Sequence, residues 1–162
     1  MKKVSLLLIT LLLLSVNAYG AKKLTEKNIT KVLEKVRIAK EHKNIKAMRV
    51  HFLSRTSVSL SKQSVEDTKT LRLTFNRYKS LLVNKWKKTK DNLIEVKNRN
   101  FQIEENGKKA LVKSELIQTI ELNGIKTVTT LYETAGIKLV NGRVYINYYS
   151  LREMLNTKIR VN

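Results

Sequence analysis

The chain has 162 residues, enough for one domain with its own core, and its 33 Lys and Arg against 13 Asp and Glu give a net charge of +20. It contains no cysteine, which excludes a disulfide framework, a thiolate metal site and a lipid-modified N-terminal cysteine. Two histidines are too few for an ordinary protein-built transition-metal site, so neither a metal nor another cofactor is expected.

Residues 1–20 read as a secretory signal peptide. Lys2 and Lys3 precede an apolar run over 4–14, and Ala18, Tyr19 and Gly20 close the segment with the small residues a signal peptidase requires. The run is short for a membrane span, which needs about twenty apolar residues. Cleavage after Gly20 and export, to the periplasm or beyond, is therefore expected, with an uncleaved N-terminal anchor as the alternative. The rest divides into an α+β domain over 21–150 and a polar C-terminal tail over 151–162.

The first element of that domain is helical. Ile29, Val32, Leu33, Val36 and Ala39 recur at 3.6-residue spacing, while Lys31, Glu34, Lys35 and Lys40 take much of the opposite side. Thr25 or Asn28 caps its start, and residues 42–44 end it. A second short helix is expected over 44–53, with Ile45, Met48 and Phe52 as its buried stripe. Alternation at Thr56, Val58 and Leu60 predicts a brief strand. A third helix is expected over 65–90, with Leu71, Phe75, Tyr78, Leu82 and Trp86 on one side.

The remainder is dominated by Asn-Gly, which occurs at 106–107, 123–124 and 141–142. Both residues tolerate positive φ, and the dipeptide suits the two-residue type I′ turn of a right-twisted hairpin. Three such turns predict a four-stranded meander over 93–105, 108–122, 125–140 and 143–150. The middle strands exceed the usual five or six residues, so strong curvature is expected. Ala135-Gly136 is the candidate bulge.

The order of helix, helix, strand, helix and long antiparallel strands resembles the superfamily named after nuclear transport factor 2, which includes ketosteroid isomerase and scytalone dehydratase. The residues that carry the resemblance are 29–39, 44–53 leading into 56–60, and the Asn-Gly hairpins ending in Gly142-Arg143-Val144-Tyr145-Ile146. It implies helices packed on a strongly curved, mainly antiparallel sheet that forms a cone with a pocket. It also implies a homodimer through the sheet's outer face, where Leu111, Ile117, Val128 and Tyr132 interrupt an otherwise polar surface. The enzymes of that superfamily use Asp, Tyr and His residues inside the cone. This chain offers Glu133, Tyr148 and Tyr78 at positions that cannot be equated with theirs, so an isomerase- or dehydratase-like enzyme ranks third among the functional readings.

Two-residue turns fix register, which predicts an inner face carrying Ala110, Val112, Leu116, Leu131, Ala135, Ile137, Val144, Ile146 and Tyr148. On that face Ser114 falls opposite Glu133, Glu133 opposite Ser150, and Gln118 opposite Thr129. Arg99 lines up with Ser114, two strand spacings or roughly 9.6 Å from Glu133. Arg99, Ser114, Gln118, Glu133 and Tyr148 are accordingly the pocket candidates for a small apolar ligand. A carboxylate in such a place needs a partner or a wet pocket. The competing reading of the row is a satisfied structural network.

Most of the positive charge lies before residue 100. Lys85, Trp86, Lys87 and Lys88 form a candidate patch for anionic lipid or acidic glycan, read against a buried Trp86 with a basic flank. Nucleic-acid motifs are absent, and nucleic acid is not expected as a partner. No phosphate loop, nucleophile elbow or His-Glu-x-x-His is present. The leading expectation is an exported, non-catalytic binding or accessory domain that holds a small apolar ligand in the cone or a protein partner on its surface; the runner-up is an anionic-surface binder.

Overall fold

The computed structural model describes residues 20–63, 68–122 and 124–160. The signal-peptide reading falls on residues outside these, apart from Gly20. In chain order the elements are α1 (Glu26–Glu41), α2 (Ile45–Arg49), β1 (Phe52–Gln63), β2 (Thr68–Thr74), α3 (Phe75–Lys88), β3 (Asn92–Ile103), β4 (Lys109–Leu122), β5 (Ile125–Val140) and β6 (Arg143–Arg160). The helices lie on a six-stranded mixed sheet of order β2-β1-β6-β5-β4-β3. Four of those strands are the expected meander; the other two extend it on the β6 side.

Helix α1 starts in a capping box. Thr25 Oγ1 accepts from the Asn28 amide at 3.2 Å, and Asn28 Oδ1 accepts from the Thr25 amide at 2.9 Å. Both candidate caps therefore take part. Ile29, Leu33, Val36 and Ala39 are buried as their spacing requires. Helix α2 is shorter than expected, and Phe52 belongs to β1, where it is still buried.

The third helix begins ten residues later than predicted. Residues 68–74 instead form β2, antiparallel to β1, with Ser61 Oγ 2.9 Å from Thr70 Oγ1. Three β-branched threonines and alternating leucines suit an edge strand better than a helix interior, and Leu71 is half exposed there. Thr74 then caps α3 by accepting from the Arg77 amide. Phe75, Tyr78 and Trp86 form its buried side.

The brief strand predicted at 56–60 is the twelve-residue β1, which runs parallel to β6. Its register slips between Phe52 and Ser57, and Thr56 Oγ1 fills the slip by donating to the carbonyls of Leu53 and Ile146. The segment 151–162, read as a tail, instead continues β6 through Arg160, in the interior of the sheet between β1 and β5. The Leu151 side chain is buried in the core.

Each Asn-Gly marks a chain reversal. At 141–142 both residues have positive φ, +48° and +73°, and Val140 faces Arg143 across a two-residue turn. Leu122 faces Ile125 across the second reversal, with Gly124 at φ +71°. The first is wider. Only Gly107 takes positive φ, its amide donates to the Glu104 carbonyl, and the last ladder bond closes from the Glu104 amide to the Lys109 carbonyl. The resulting register, with Ile103 opposite Ala110, is the one a two-residue turn would give.

Two bulges set which side chains face inward. One lies at Lys97, where the β3–β4 register shifts between Val96 and Asn98, so that Ile94 and Arg99 share a face. The other lies opposite the expected position. Gly136 pairs with Tyr148 and Ile137 with Ile146, which places the extra residue, Asn147, on β6. Gly136 has little room for a side chain, because a Cβ there would stand 3.0 Å from Tyr148 Cβ and press on it.

The N-terminal residues of the described chain pack onto the turns. The Ala21 amide donates to the Gly142 carbonyl and the Leu24 amide to the Gly107 carbonyl, both at 2.8 Å, and Leu24 is buried. A Cβ on Gly142 would meet Gly20 Cα at 2.7 Å. Gly142→Ala is therefore expected to cost about 1–2 kcal/mol for the left-handed backbone alone, plus the displaced Gly20. Urea unfolding of the variant measures it; an unchanged midpoint would show that the turn and its contact carry no stability.

Candidate functional site

Lys40 and Glu133 meet beneath the helices. Glu133 projects from β5, is 6% exposed, and accepts a short hydrogen bond from the Tyr149 hydroxyl of β6. Lys40, on the last turn of α1 and 8% exposed, donates a short bond to that same hydroxyl; its Nζ lies 3.6 Å from Glu133 Oε2 and 4.5 Å from the centre of the Tyr149 ring. The Tyr78 hydroxyl of α3 meets Tyr149 from the other side. Among the described residues, no buried side-chain nitrogen or oxygen lacks a partner.

Burial and charge act on these groups in opposite directions. Removal from water lowers the Lys40 pKa and the nearby Lys85 charge adds to this, while Glu133 works against both; the net shift is downward. Burial pushes the Tyr78 and Tyr149 hydroxyls well up, and the Glu133 charge raises them further. Both tyrosines thus stay protonated where an exposed one ionises.

The predicted row is assembled only in part. Arg99, Ser114 and Glu133 lie in register across β3, β4 and β5, and Gln118 faces Thr129. Arg99 does not pair with Glu133. It reaches Glu34 on α1 at 3.1 Å and Ser114 Oγ at 3.4 Å. Glu34 also holds Arg37 at 2.7 Å. Burial raises the Glu34 pKa, but the hydrogen bonds and charges of Arg37 and Arg99 outweigh it and bring the carboxyl below its usual value. Gln118 donates to Asn92 Oδ1 at 2.6 Å, and Asn92 in turn donates to the Lys40 carbonyl at 2.8 Å.

Two assignments change. Tyr148 is 38% exposed, and Tyr149 takes the inward position, because the extra Asn147 inverts the alternation of β6. For the same reason Leu151, not Ser150, stands opposite Glu133. Lys40 was placed on the polar side of α1, yet it lies four residues after Val36 and seven after Leu33, on the buried stripe. A cation on an apolar stripe was the signal that pointed to a buried partner.

The cavity lies beside this cluster, between α3 and the sheet. Its volume is about 110 Å³. Leu82, Trp86, Ile94, Leu116 and Leu131 supply apolar walls, and Lys40, Asn92 and Gln118 bring polar groups to it. Leu81, 44% exposed, and the Lys85–Glu153 ion pair at 3.6 Å stand at its rim. Around Arg99 and Glu133 only about 10 Å³ remains, so that row is packed.

Trp86 is 8% exposed and forms cavity wall, whereas Lys87 and Lys88 point to solvent. The segment 85–88 therefore exposes no aromatic for a bilayer interface or a stacked ring. His51 borders a separate surface groove with Lys35 and Ile38.

Helices packed on a six-stranded mixed sheet, with a partly polar cavity under the last helix, define a class of α+β folds. Within that class the fold is the nuclear transport factor 2-like one. A provisionally assigned scytalone dehydratase from Novosphingobium aromaticivorans superposes with a TM-score of 0.66 at 12% identity, over 84% of this chain and 87% of that one. Hexachlorocyclohexane dehydrochlorinase type 3 from Novosphingobium barchaimii gives 0.63 at 10%, over 83% and 88%. A nuclear transport factor 2-like protein from Cytophaga hutchinsonii gives 0.62 at 11%, over 81% and 100%. No protein-family model matches the sequence, and neither does any curated protein.

Two measurements test the cluster. Glu133→Gln leaves the Lys40 charge buried without its counter-ion and is expected to cost roughly 3 kcal/mol or more. Adding Lys40→Met should recover part of that loss in urea unfolding, whereas simple additivity would show that the two groups do not interact. The tyrosines predict alkaline sensitivity. Unfolded Tyr78 and Tyr149 ionise near 10.0 but the folded ones do not, so their contribution is complete below that pH and declines above it. Each removes about 1.4 kcal/mol per pH unit. Lys40 acts oppositely, but only below its unfolded value of 10.5. Between pH 10 and 11 Tyr149→Phe should lose stability more slowly than the parent; parallel curves would contradict the assignment.

Proposed function

We propose that this protein is an exported binding domain that holds a small, largely apolar molecule in the cavity beneath α3. The observation that carries the reading is the cavity itself, walled largely by apolar side chains with Lys40, Asn92 and Gln118 among the polar groups brought to it. Ligand sites of this kind gain affinity from apolar burial and orientation from a few polar groups. At about 110 Å³ the cavity is smaller than the apolar cavity of about 150 Å³ known to admit benzene, so a single small ring or short aliphatic chain is accommodated by extending past Leu81 at the rim.

Simple retention of such a molecule is favoured over acid–base turnover by the state of Glu133. Its carboxylate already has Tyr149 and Lys40 as partners, and only about 10 Å³ of space remains beside it. A general base needs an open path to the proton it removes.

Toluene provides a direct test. Saturating toluene should raise the melting temperature by mass action. Leu82→Phe, which adds a ring to the cavity wall, should weaken toluene binding by at least about tenfold, with any overpacking cost staying within roughly 1–3 kcal/mol. Equal stabilisation of parent and variant would place toluene elsewhere and overturn the reading. Mass measurement of the exported protein, beginning at Ala21, tests the export part.

A further inference from the structure

We propose that Lys40 is a reactive amine, and that the molecules the cavity retains are small apolar aldehydes or ketones, captured reversibly as an imine on Lys40 Nζ. This rests on the cavity being a ligand site.

Three features of the geometry converge on it. Lys40 lines both the cavity and the packed space that contains Glu133, so the residue stands between the bound molecule and the carboxylate. Its Nζ donates to the Tyr149 hydroxyl, which donates to Glu133 Oε2. That chain is a ready-made proton path. The walls around it are apolar, which holds down the water activity that would hydrolyse an imine. A desolvated lysine in an apolar pocket is the usual form of a Schiff-base amine.

The charged and titratable groups that face Nζ come from three elements: Glu133 on β5, Tyr149 on β6, and Tyr78 and Lys85 on α3. Burial and the Lys85 charge favour the neutral amine, while Glu133 favours the ammonium. In the reacting step, which starts from the Lys40–Glu133 ion pair, Nζ gives a proton to the Tyr149 oxygen as Tyr149 gives its own to Glu133, and the amine is freed.

The step balances without any further reactant. The Nζ lone pair forms a C–N bond to the carbonyl carbon, and the carbonyl π pair moves to oxygen, which takes a proton to become the carbinolamine hydroxyl. Glu133 returns its proton through Tyr149, the C–O bond breaks, and water leaves. The product is the protonated imine beside the Glu133 carboxylate, with one water released for each ammonium and carbonyl consumed.

Benzaldehyde, which has the shape of toluene plus a carbonyl oxygen, is the probe. The exported protein is treated with benzaldehyde and cyanoborohydride at pH 6, and the benzylated lysines are located by peptide mass mapping. Lys40 should be labelled at least about tenfold faster than exposed Lys87 or Lys88. Excess toluene should suppress Lys40 labelling and leave the surface lysines unaffected. Tyr149→Phe, which cuts the proton path, should slow Lys40 labelling by at least about tenfold.

Toluene binding with label confined to surface lysines would overturn the amine while leaving the cavity reading in place. Absence of both toluene binding and Lys40 labelling would remove both. Lys40 labelling that toluene does not suppress would show reaction by another route and would also overturn the proposal. Equal labelling rates in parent and Tyr149→Phe would overturn the relay. Lys40→Arg, which keeps the charge for Glu133 but cannot form an imine, supplies the control against a merely misplaced label.

Discussion

The contact on which the molecule depends is the bridge from Lys40 through the Tyr149 hydroxyl to Glu133. It joins the last turn of α1 to the two most extensively paired strands of the sheet, where both charged groups are buried. Desolvating a carboxylate and an ammonium costs several kcal/mol each after relaxation, and their attraction returns that cost only when the geometry is held firmly. The surroundings hold it. Phe52, Phe75, Tyr78 and Tyr149 form an aromatic cluster with ring centres 4.5 to 6.2 Å apart, so the hydroxyl that links the charges belongs to a ring that cannot swing away. A second polar layer, Arg37 with Glu34 and Glu41 and Arg99 with Glu34, ties α1 to β3 one turn farther up. The helix is thus attached to the sheet by two parallel sets of charges with apolar contacts between them.

The same arrangement positions the cavity. Helix α3 enters from the β2 edge with Phe75 and Tyr78 seated in the aromatic cluster, then lifts away so that Leu82 and Trp86 roof a space instead of filling it. The space survives because its sheet side is built from Ile94, Leu116 and Leu131, whose own burial is secured by neighbours in the strands. The cavity therefore lies between α3 and the sheet, beside the polar bridge.

Much of this frame was legible in the residues. Three Asn-Gly pairs located three reversals, and the apolar spacing of α1 found its buried side, because both are local signals that tertiary packing reinforces. The misplaced elements have identifiable causes. Thr68 to Thr74 reads as helix because Leu71 falls in helical spacing with Phe75 and Tyr78, but β1 offers an open edge, and pairing with it decides the conformation. Residues 151–160 are polar enough to resemble a tail; they are strand because β5 pairs with them as far as Arg160, while β1 runs parallel on the other side as far as Met154, a relation that no local pattern expresses. Ile94 and Phe101 stand at positions of opposite parity yet share a face, because of the bulge at Lys97. Lys40 escaped notice because a lysine is ordinarily solvated, although its position in the helical repeat is that of a core residue. Tyr149 escaped because parity was counted through a strand that contains one residue too many.

That supernumerary residue, Asn147, bears on how site chemistry is compared between distant proteins. At identities of 12% and 10%, an alignment counted along this strand to a chain without such a bulge would shift the inward-facing position by one residue. Correspondence has to be traced across the hydrogen-bond ladder, where Ala135 identifies Tyr149 without reference to numbering. Two homologues that differ only by such an insertion would present different functional groups to the same hollow while their backbones superpose, which offers evolution a one-codon route to new chemistry on an old scaffold.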